Sequence, residues 1–214
     1  MTYQVYAAPP PIEGSVKRQE ERLKENYPGV WGMDPIEDYV KLRQRIDKEA
    51  ERLIAMHGRS ITCSPGCDGC CVNLTVFPVE FFSIKQEMER AGLGAEELPF
   101  DEGGACGFLR DSLCRIYRFR PIICRTHGLP ILFIDNSSDE PRWEVSSCER
   151  NFADGDETEF SDDMLLDIEE INAELNRINH DFIASLPAGQ YESHTRIPLK
   201  DLCLMKTKRP AKGT

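Results

Sequence analysis

Four cysteines within nine residues, Cys63-x3-Cys67-x2-Cys70-Cys71, constrain what this chain can fold around more than any other feature. A two-residue gap makes the tight knuckle found in zinc and iron–sulfur sites, and a three-residue gap spans about one helical turn, so Cys63, Cys67 and Cys70 can converge. Cys71 is different. Adjacent side chains diverge by about 100° on a helix and point to opposite faces on a strand, so Cys70 and Cys71 are not expected to share one tetrahedral ion. Two ions, or one polynuclear cluster, would use both. The intervening Ser64, Pro65, Gly66, Asp68 and Gly69 are small or turn-forming, which suits a loop wrapped tightly around something, with Asp68 shaping it through an Asx-type turn.

Downstream, Cys106-x7-Cys114-x9-Cys124 and then Cys148 bring the thiols to eight, the number for two four-cysteine sites or for one cluster and one zinc. His127 follows Cys124 by three residues and is a further candidate ligand, whereas His57, His180 and His194 lie outside the cluster. The ninth cysteine, Cys203, sits among apolar neighbours and reads as a core residue. Ligand softness admits zinc and iron alike, an iron–sulfur cluster included.

Why a metal rather than disulfides follows from the expected compartment. The N-terminus has neither a basic leader nor an apolar stretch of signal-peptide length, and no window approaches the roughly 20 apolar residues of a membrane span. The chain is therefore expected to be soluble and cytoplasmic, where thiols stay reduced, and the odd count leaves one cysteine without an intramolecular partner. Redox use of Cys67-Asp-Gly-Cys70 is disfavoured because no strand–helix alternation surrounds it.

With a net charge of −11 and no basic stripe, nucleic acid is excluded as a partner on electrostatic grounds. Hydrophobic residues at 40% and charged residues at 29% place the chain among ordinary folded proteins, and 214 residues are enough for one core. No nucleotide-binding glycine pattern occurs, and the acidic run from Asp154 to Asp163 lacks the alternate oxygen ligands of a calcium loop.

The expected fold is α+β, mostly helical with small β-hairpins around a cysteine-rich metal-binding centre. An N-terminal arm over 1–33, partly helical, precedes a cysteine-cluster domain over 34–150, a C-terminal helix over 151–200 packed on the same domain, and a basic tail over 201–214 that frays. Asp34-Pro35 caps and opens a helix carrying Tyr39, Leu42, Ile46, Leu53 and Ile54 and ending at Gly58. Leu74 to Phe77 reads as a short strand, Pro78 opens a helix to Gly92, and Cys106 to Cys114 reads as a hairpin or tight turn. Ile131–Ile134 and Arg142–Val145 read as a β-hairpin. Ser161 is expected to cap a helix whose seam, Met164, Ile168, Ile171, Leu175, Ile178 and Phe182, packs on the chain's own core or pairs two copies through residues 161–185.

These segments resemble the YkgJ-type cysteine-cluster family, whose members are described as zinc- or iron-chelating proteins. The resemblance rests on Cys63-Ser-Pro-Gly-Cys67-Asp-Gly-Cys70-Cys71 and on Cys106-Gly-Phe-Leu-Arg-Asp-Ser-Leu-Cys114-Arg-Ile-Tyr117-Arg-Phe-Arg120-Pro121-Ile-Ile-Cys124-Arg125. The second segment matches the family's C-x-F-L, C-x-I-Y, R-P and C-R elements in order. Two departures stand out: the first gap has three residues where the common form has two, and Thr126-His127-Gly128 replaces an expected Tyr and Pro. The resemblance implies a zinc or iron site. A related motif in flagellin lysine methylases lends analogy to an iron or iron–sulfur enzyme or redox protein as the alternative to a metal-binding protein that acts through a protein partner or small-molecule substrate. Arg120 and Arg125 are expected to offset thiolate charge, and Tyr117 to pack with its hydroxyl bonded.

Overall fold

The computed structural model describes residues 34–93, 105–137, 140–153 and 160–204, together with the backbone of 3–7. The remainder of the expected arm, the 94–104 connection, the acidic 154–159 stretch and the tail beyond 204 lie outside the described residues.

Helix α1 (Pro35–His57) begins as expected. The Asp34 carboxylate accepts the Ile36 N–H at 2.9 Å, Pro35 needs no donor there, and Gly58 ends the helix at a φ of 52°. Its stripe of Tyr39, Leu42, Ile46 and Leu53 is buried, while Ile54, expected on the same face, is 47% exposed. Helix α2 (Pro78–Arg90) packs on α1, and both pack on the long C-terminal helix α4 (Ile168–Ala184). The short α3 (Ile122–Thr126) lies against α1. Val79, Ile122, Ile171, Leu175, Ile178 and Phe182 join the α1 stripe in the main core. Each fully buried aliphatic there contributes about 1.5–3 kcal/mol.

The C-terminal helix starts later than its charge pattern suggested. Asp162–Met164 form a 3₁₀ turn, and Leu166–Asp167 form strand β7, paired in parallel with Ile131–Leu132. Asp167, not Ser161, then caps α4 by accepting the Glu170 N–H at 3.0 Å. Pairing with a sheet edge outcompeted a capping sequence that would have served equally well in isolation.

Strands β5 (Ile131–Asp135) and β6 (Arg142–Cys148) form the expected antiparallel hairpin, in register from Ile131 opposite Ser146 to Asp135 opposite Arg142. The strand order is β1-β6-β5-β7, with β1 (Tyr3–Ala7) antiparallel to β6. Five residues of the expected arm add a strand whose partner lies far along the chain.

A second core gathers Val76, Phe81, Ile84, Phe108, Ile116, Leu199, Leu202 and Cys203. Strand β2 (Thr75–Val76) pairs with β8 (Ile197–Pro198), and α5 (Asp201–Leu204) follows. Leu199, Leu202 and Cys203 are buried and hold this stretch down. No helix among the described residues is long and apolar enough to cross a membrane. The thiols leave this frame from several places: Cys63 to Cys71 between α1 and β2, Cys114 on the small hairpin of β3 (Leu109–Arg110) and β4 (Leu113–Cys114), Cys124 on α3, and Cys148 at the end of β6.

Candidate metal centre

The loop that carries the first four thiols is two successive turns. Cys67 N–H donates to Ser64 C=O at 2.9 Å, with Pro65 and then Gly66 at φ 93° in the centre, as a type II turn requires. Cys71 N–H then donates to Asp68 C=O at 2.8 Å. The Asp68 side chain does not make the expected local turn; it accepts the Ser112 hydroxyl at 2.8 Å and ties this loop to the hairpin. In that hairpin Asp111 and Ser112 have φ of 50° and 58°, the backbone of a two-residue type I′ turn, and Leu109 faces Cys114. Cys106 is brought in by its N–H, which donates to Cys71 C=O at 3.0 Å.

Cys124 is positioned from beneath. Glu80, buried on α2, accepts the N–H of Ile122 at the start of α3, the N–H of Phe77 and the Tyr39 hydroxyl, at 3.2, 3.2 and 3.3 Å. Burial pushes its carboxyl up, and the two backbone donors and Tyr39 oppose that. Arg125 uses Nε and Nη2 on the carbonyls of Arg120 and Arg118, at 2.8 and 2.7 Å, and pairs Nη1 with Asp47.

The eight thiols fall into two groups by which sulfurs act on one another. Burial holds Cys63 above the ordinary thiol range; an Asn151 hydrogen bond opposes that, and Cys148, Cys67 and Cys70 add to it. Cys70 is raised by burial and then by Cys67, with Cys148 adding less. In the other group, Cys71 is pushed up to about 12 by burial, then by Cys70, Cys106 and Cys114. Cys124 also reaches about 12, through burial and then Cys106, Cys114 and Cys71. Cys106 and Cys114 are raised by burial too. One set is thus Cys63, Cys67, Cys70 and Cys148, and the other Cys71, Cys106, Cys114 and Cys124.

The divergence expected of Cys70 and Cys71 on a helix or a strand meets a different backbone here. Residues 70–71 lie in a turn, neither helix nor strand, where each thiol still acts on the other. Their remaining neighbours differ, so the pair stands at the junction of the two sets.

Three residues frame the first set, of which Asn151 and Arg150 were missed in the sequence reading. Asn151, with no exposed surface, accepts the Thr62 N–H at 2.9 Å and the Thr62 hydroxyl at 3.1 Å through Oδ1, and donates through Nδ2 to Gly128 C=O at 2.6 Å and Cys63 Sγ at 3.5 Å. Arg150 Nη1 donates to Cys67 Sγ at 3.4 Å. Gly128 has a φ of 91°, and a Cβ there would sit 3.0 Å from Cys63 Sγ and 3.8 Å from Cys148 Cβ. The two departures from the family pattern, the longer first gap and the glycine at 128, therefore meet in space.

Around the second set, Arg120 lowers the thiols of Cys114 and Cys124 and lies over the Tyr117 ring at 3.8 Å. Arg125 is turned instead to Asp47 and the two carbonyls, so of the two arginines only Arg120 faces sulfur. Tyr117 is 61% exposed rather than packed in the core. His127 is half-buried at the end of α3, where burial lowers its imidazole. His57 serves packing, with Nε2 2.9 Å from Met164 C=O and its ring against Phe152 and Phe160.

All nine cysteines are reduced, so eight thiols in two fours are open to coordination. This donor set fits closed tetrathiolate sites in number and kind. Four thiolates and a dication carry −2, and each set has one guanidinium beside it, Arg150 or Arg120. As the side chains stand, no group of three or more His, Cys, Asp or Glu among the described residues is arranged to hold an ion, so loading requires the thiols to rearrange.

Residues 62–149 match the CxxCxxCC family, described as a "putative zinc- or iron-chelating domain". No curated protein and no solved structure matches the chain.

Proposed function

We propose, from the match of residues 62–149 to a family described as a "putative zinc- or iron-chelating domain", that this chain is a metal-binding protein with two tetrathiolate sites. Cys63, Cys67, Cys70 and Cys148 would hold one zinc or iron ion, and Cys71, Cys106, Cys114 and Cys124 the other. The observation that carries this is the division of neighbours at Cys70 and Cys71: apart from each other, Cys70 is acted on by Cys67 and Cys148, and Cys71 by Cys106 and Cys114. Each ion, when bound, supplies cross-linking of segments that share little regular structure, and its binding free energy becomes folding free energy.

The chain's own residues prepare the two sites differently. Asn151 fixes Thr62 and Gly128 and offers an N–H to Cys63 Sγ, so the first site is oriented by an amide. Glu80 and Arg125 fix the ends of α3, so the second site is oriented by buried charge. Arg150 and Arg120 reduce the negative charge that four thiolates accumulate. With both sites closed by thiolate no position is left for a substrate, and biological activity would run through a protein partner or small molecule at the surface.

A second reading is one polynuclear iron–sulfur cluster serving redox chemistry or an enzyme, favoured by Cys70 being the thiol that acts most on Cys71, across the two sets. Serine variants separate the two readings. Two independent sites predict that Cys148→Ser and Cys124→Ser each lose about one of two bound ions while the other survives. Complete loss of metal from either single variant would overturn the two-site reading in favour of one cluster.

A further inference from the structure

Beside the second thiol set lies a cleft of about 240 Å³ lined by apolar Leu93 and Phe119, the exposed ring of Tyr117, the cations Arg115 and Arg118, and Cys114. From this cleft we infer a binding site for a small organic carboxylate, with an apolar body of the size of one aromatic ring, that nothing in the metal-binding reading requires.

The charge pattern is the first reason. In a chain of net charge −11, residues 110–120 carry Arg110, Arg115, Arg118 and Arg120 against one acid, Asp111. Arg110 is the arginine beside Asp111, at 4.0 Å. Arg115 and Arg118 are exposed and have no ion-pair partner among the described residues. Two guanidinium groups at the wall of a concave, part-apolar surface suit a carboxylate, which a planar fork recognises bidentately.

The second reason is preorganisation. Arg118 and Arg120 are held by the Arg125 fork on their carbonyls, and Arg125 is anchored to Asp47 of α1. Arg120 in turn covers the Tyr117 ring at 3.8 Å. The wall therefore presents its cations from a fixed backbone, which reduces the ordering cost of binding. A bare anion would use the arginines alone; Leu93, Phe119 and Tyr117 give the apolar contact that makes a carboxylate with a hydrophobic body the better occupant.

The test uses the full-length, metal-loaded protein and benzoate as the probe, with binding followed by calorimetry or ligand-observed NMR. Benzoate is expected to bind at least about tenfold more tightly than the neutral benzamide and than inorganic phosphate, since a tenfold ratio is the smallest that one desolvated charge contact would give. The double variant Arg115→Glu/Arg118→Glu is expected to lose binding with metal content unchanged, whereas Lys48→Glu, an exposed change of the same sign on α1, should leave it intact. No benzoate binding, equal binding of benzamide, or unaltered binding in the double variant would each overturn the carboxylate site. Equal binding of phosphate would overturn the apolar part of the assignment. The probe comparison on the unaltered protein needs no variant to fold, and metal content measured alongside separates failure here from failure of the two-site reading.

Discussion

Replacing Asn151 should weaken the first thiol set more than replacing any other residue outside the cysteines. The side chain is fully buried and joins the loop before Cys63 to the turn at Gly128. Alanine leaves the buried Gly128 carbonyl without its donor, a cost of about 1–3 kcal/mol, and forfeits the net value of the Thr62 bonds, about 1 kcal/mol because Thr62 is exposed and water can replace them. A destabilisation of about 2–4 kcal/mol is therefore expected once the amide-sized void is included. Asn151→Asp sharpens the case, because it keeps an acceptor for Thr62 but sets a carboxylate oxygen against Gly128 C=O and beside the Cys63 sulfur. It should be worse than alanine in the metal-loaded protein, where Cys63 is a thiolate. Urea unfolding at fixed free zinc gives the stability, and competition with a chromophoric chelator gives the affinity of the weaker site. If both variants unfold within about 0.5 kcal/mol of the parent, Asn151 is not a structural link and its role here is refuted.

Gly128→Ala should cost about 1–2 kcal/mol for the left-handed backbone alone and lower metal affinity at one site of two, read by the same competition; unchanged affinity would contradict the contact with Cys63 Sγ. Metal affinity should fall as pH falls, by up to tenfold per pH unit for each of about four thiols deprotonated per site, measured by chelator competition between pH 6 and 8. In the metal-free chain the sign reverses: Cys71 and Cys124 are raised to about 12, so the stability they confer is intact below the ordinary thiol value and is lost as pH rises through that range. Alkaline unfolding of metal-free Cys71→Ser/Cys124→Ser should accordingly be shallower than that of the parent. Glu80→Gln should destabilise by about 1–3 kcal/mol, because an amide has one acceptor oxygen for the three donors that Glu80 serves. Since the Glu80 carboxyl is raised in the fold, the parent's advantage over this variant should shrink as pH rises above the ordinary carboxylate value, a trend visible in melting temperatures.

Much of the frame could be read from the sequence where one local signal agreed with burial. Asp34-Pro35 opened α1, the polar turn between Ile131–Ile134 and Arg142–Val145 gave the hairpin, and Leu202-Cys203 was apolar enough to be core. What failed was set by long-range pairing. Ser161 looked like a cap as good as Asp167, and only the β5 edge decides between them; Tyr3–Ala7 becomes a strand because β6 offers an edge. At the thiols, spacing identified the eight cysteines, but the separation into sets depends on Cys148 at the end of β6 and Cys106 hydrogen-bonded to Cys71. The rule that sets Cys70 and Cys71 apart holds for helices and strands, and in their turn only the fold decides which further thiols each one meets. Asn151 and Arg150 were missed although both follow Cys148 within three residues; a polar pair just after a candidate ligand was the available signal. Arg120 and Arg125, alike in sequence, differ because only one faces sulfur.

The central claim concerns what eight thiols hold. Zinc, iron and acid-labile sulfide per chain, measured on full-length protein purified without oxygen or chelator, test it most directly when combined with X-ray absorption at the metal edge. Two independent sites predict about two ions per chain, no sulfide, and four sulfur neighbours around each at about 2.3 Å if zinc is bound. Stoichiometric sulfide with iron, or ions ligated mainly by nitrogen or oxygen, would contradict it.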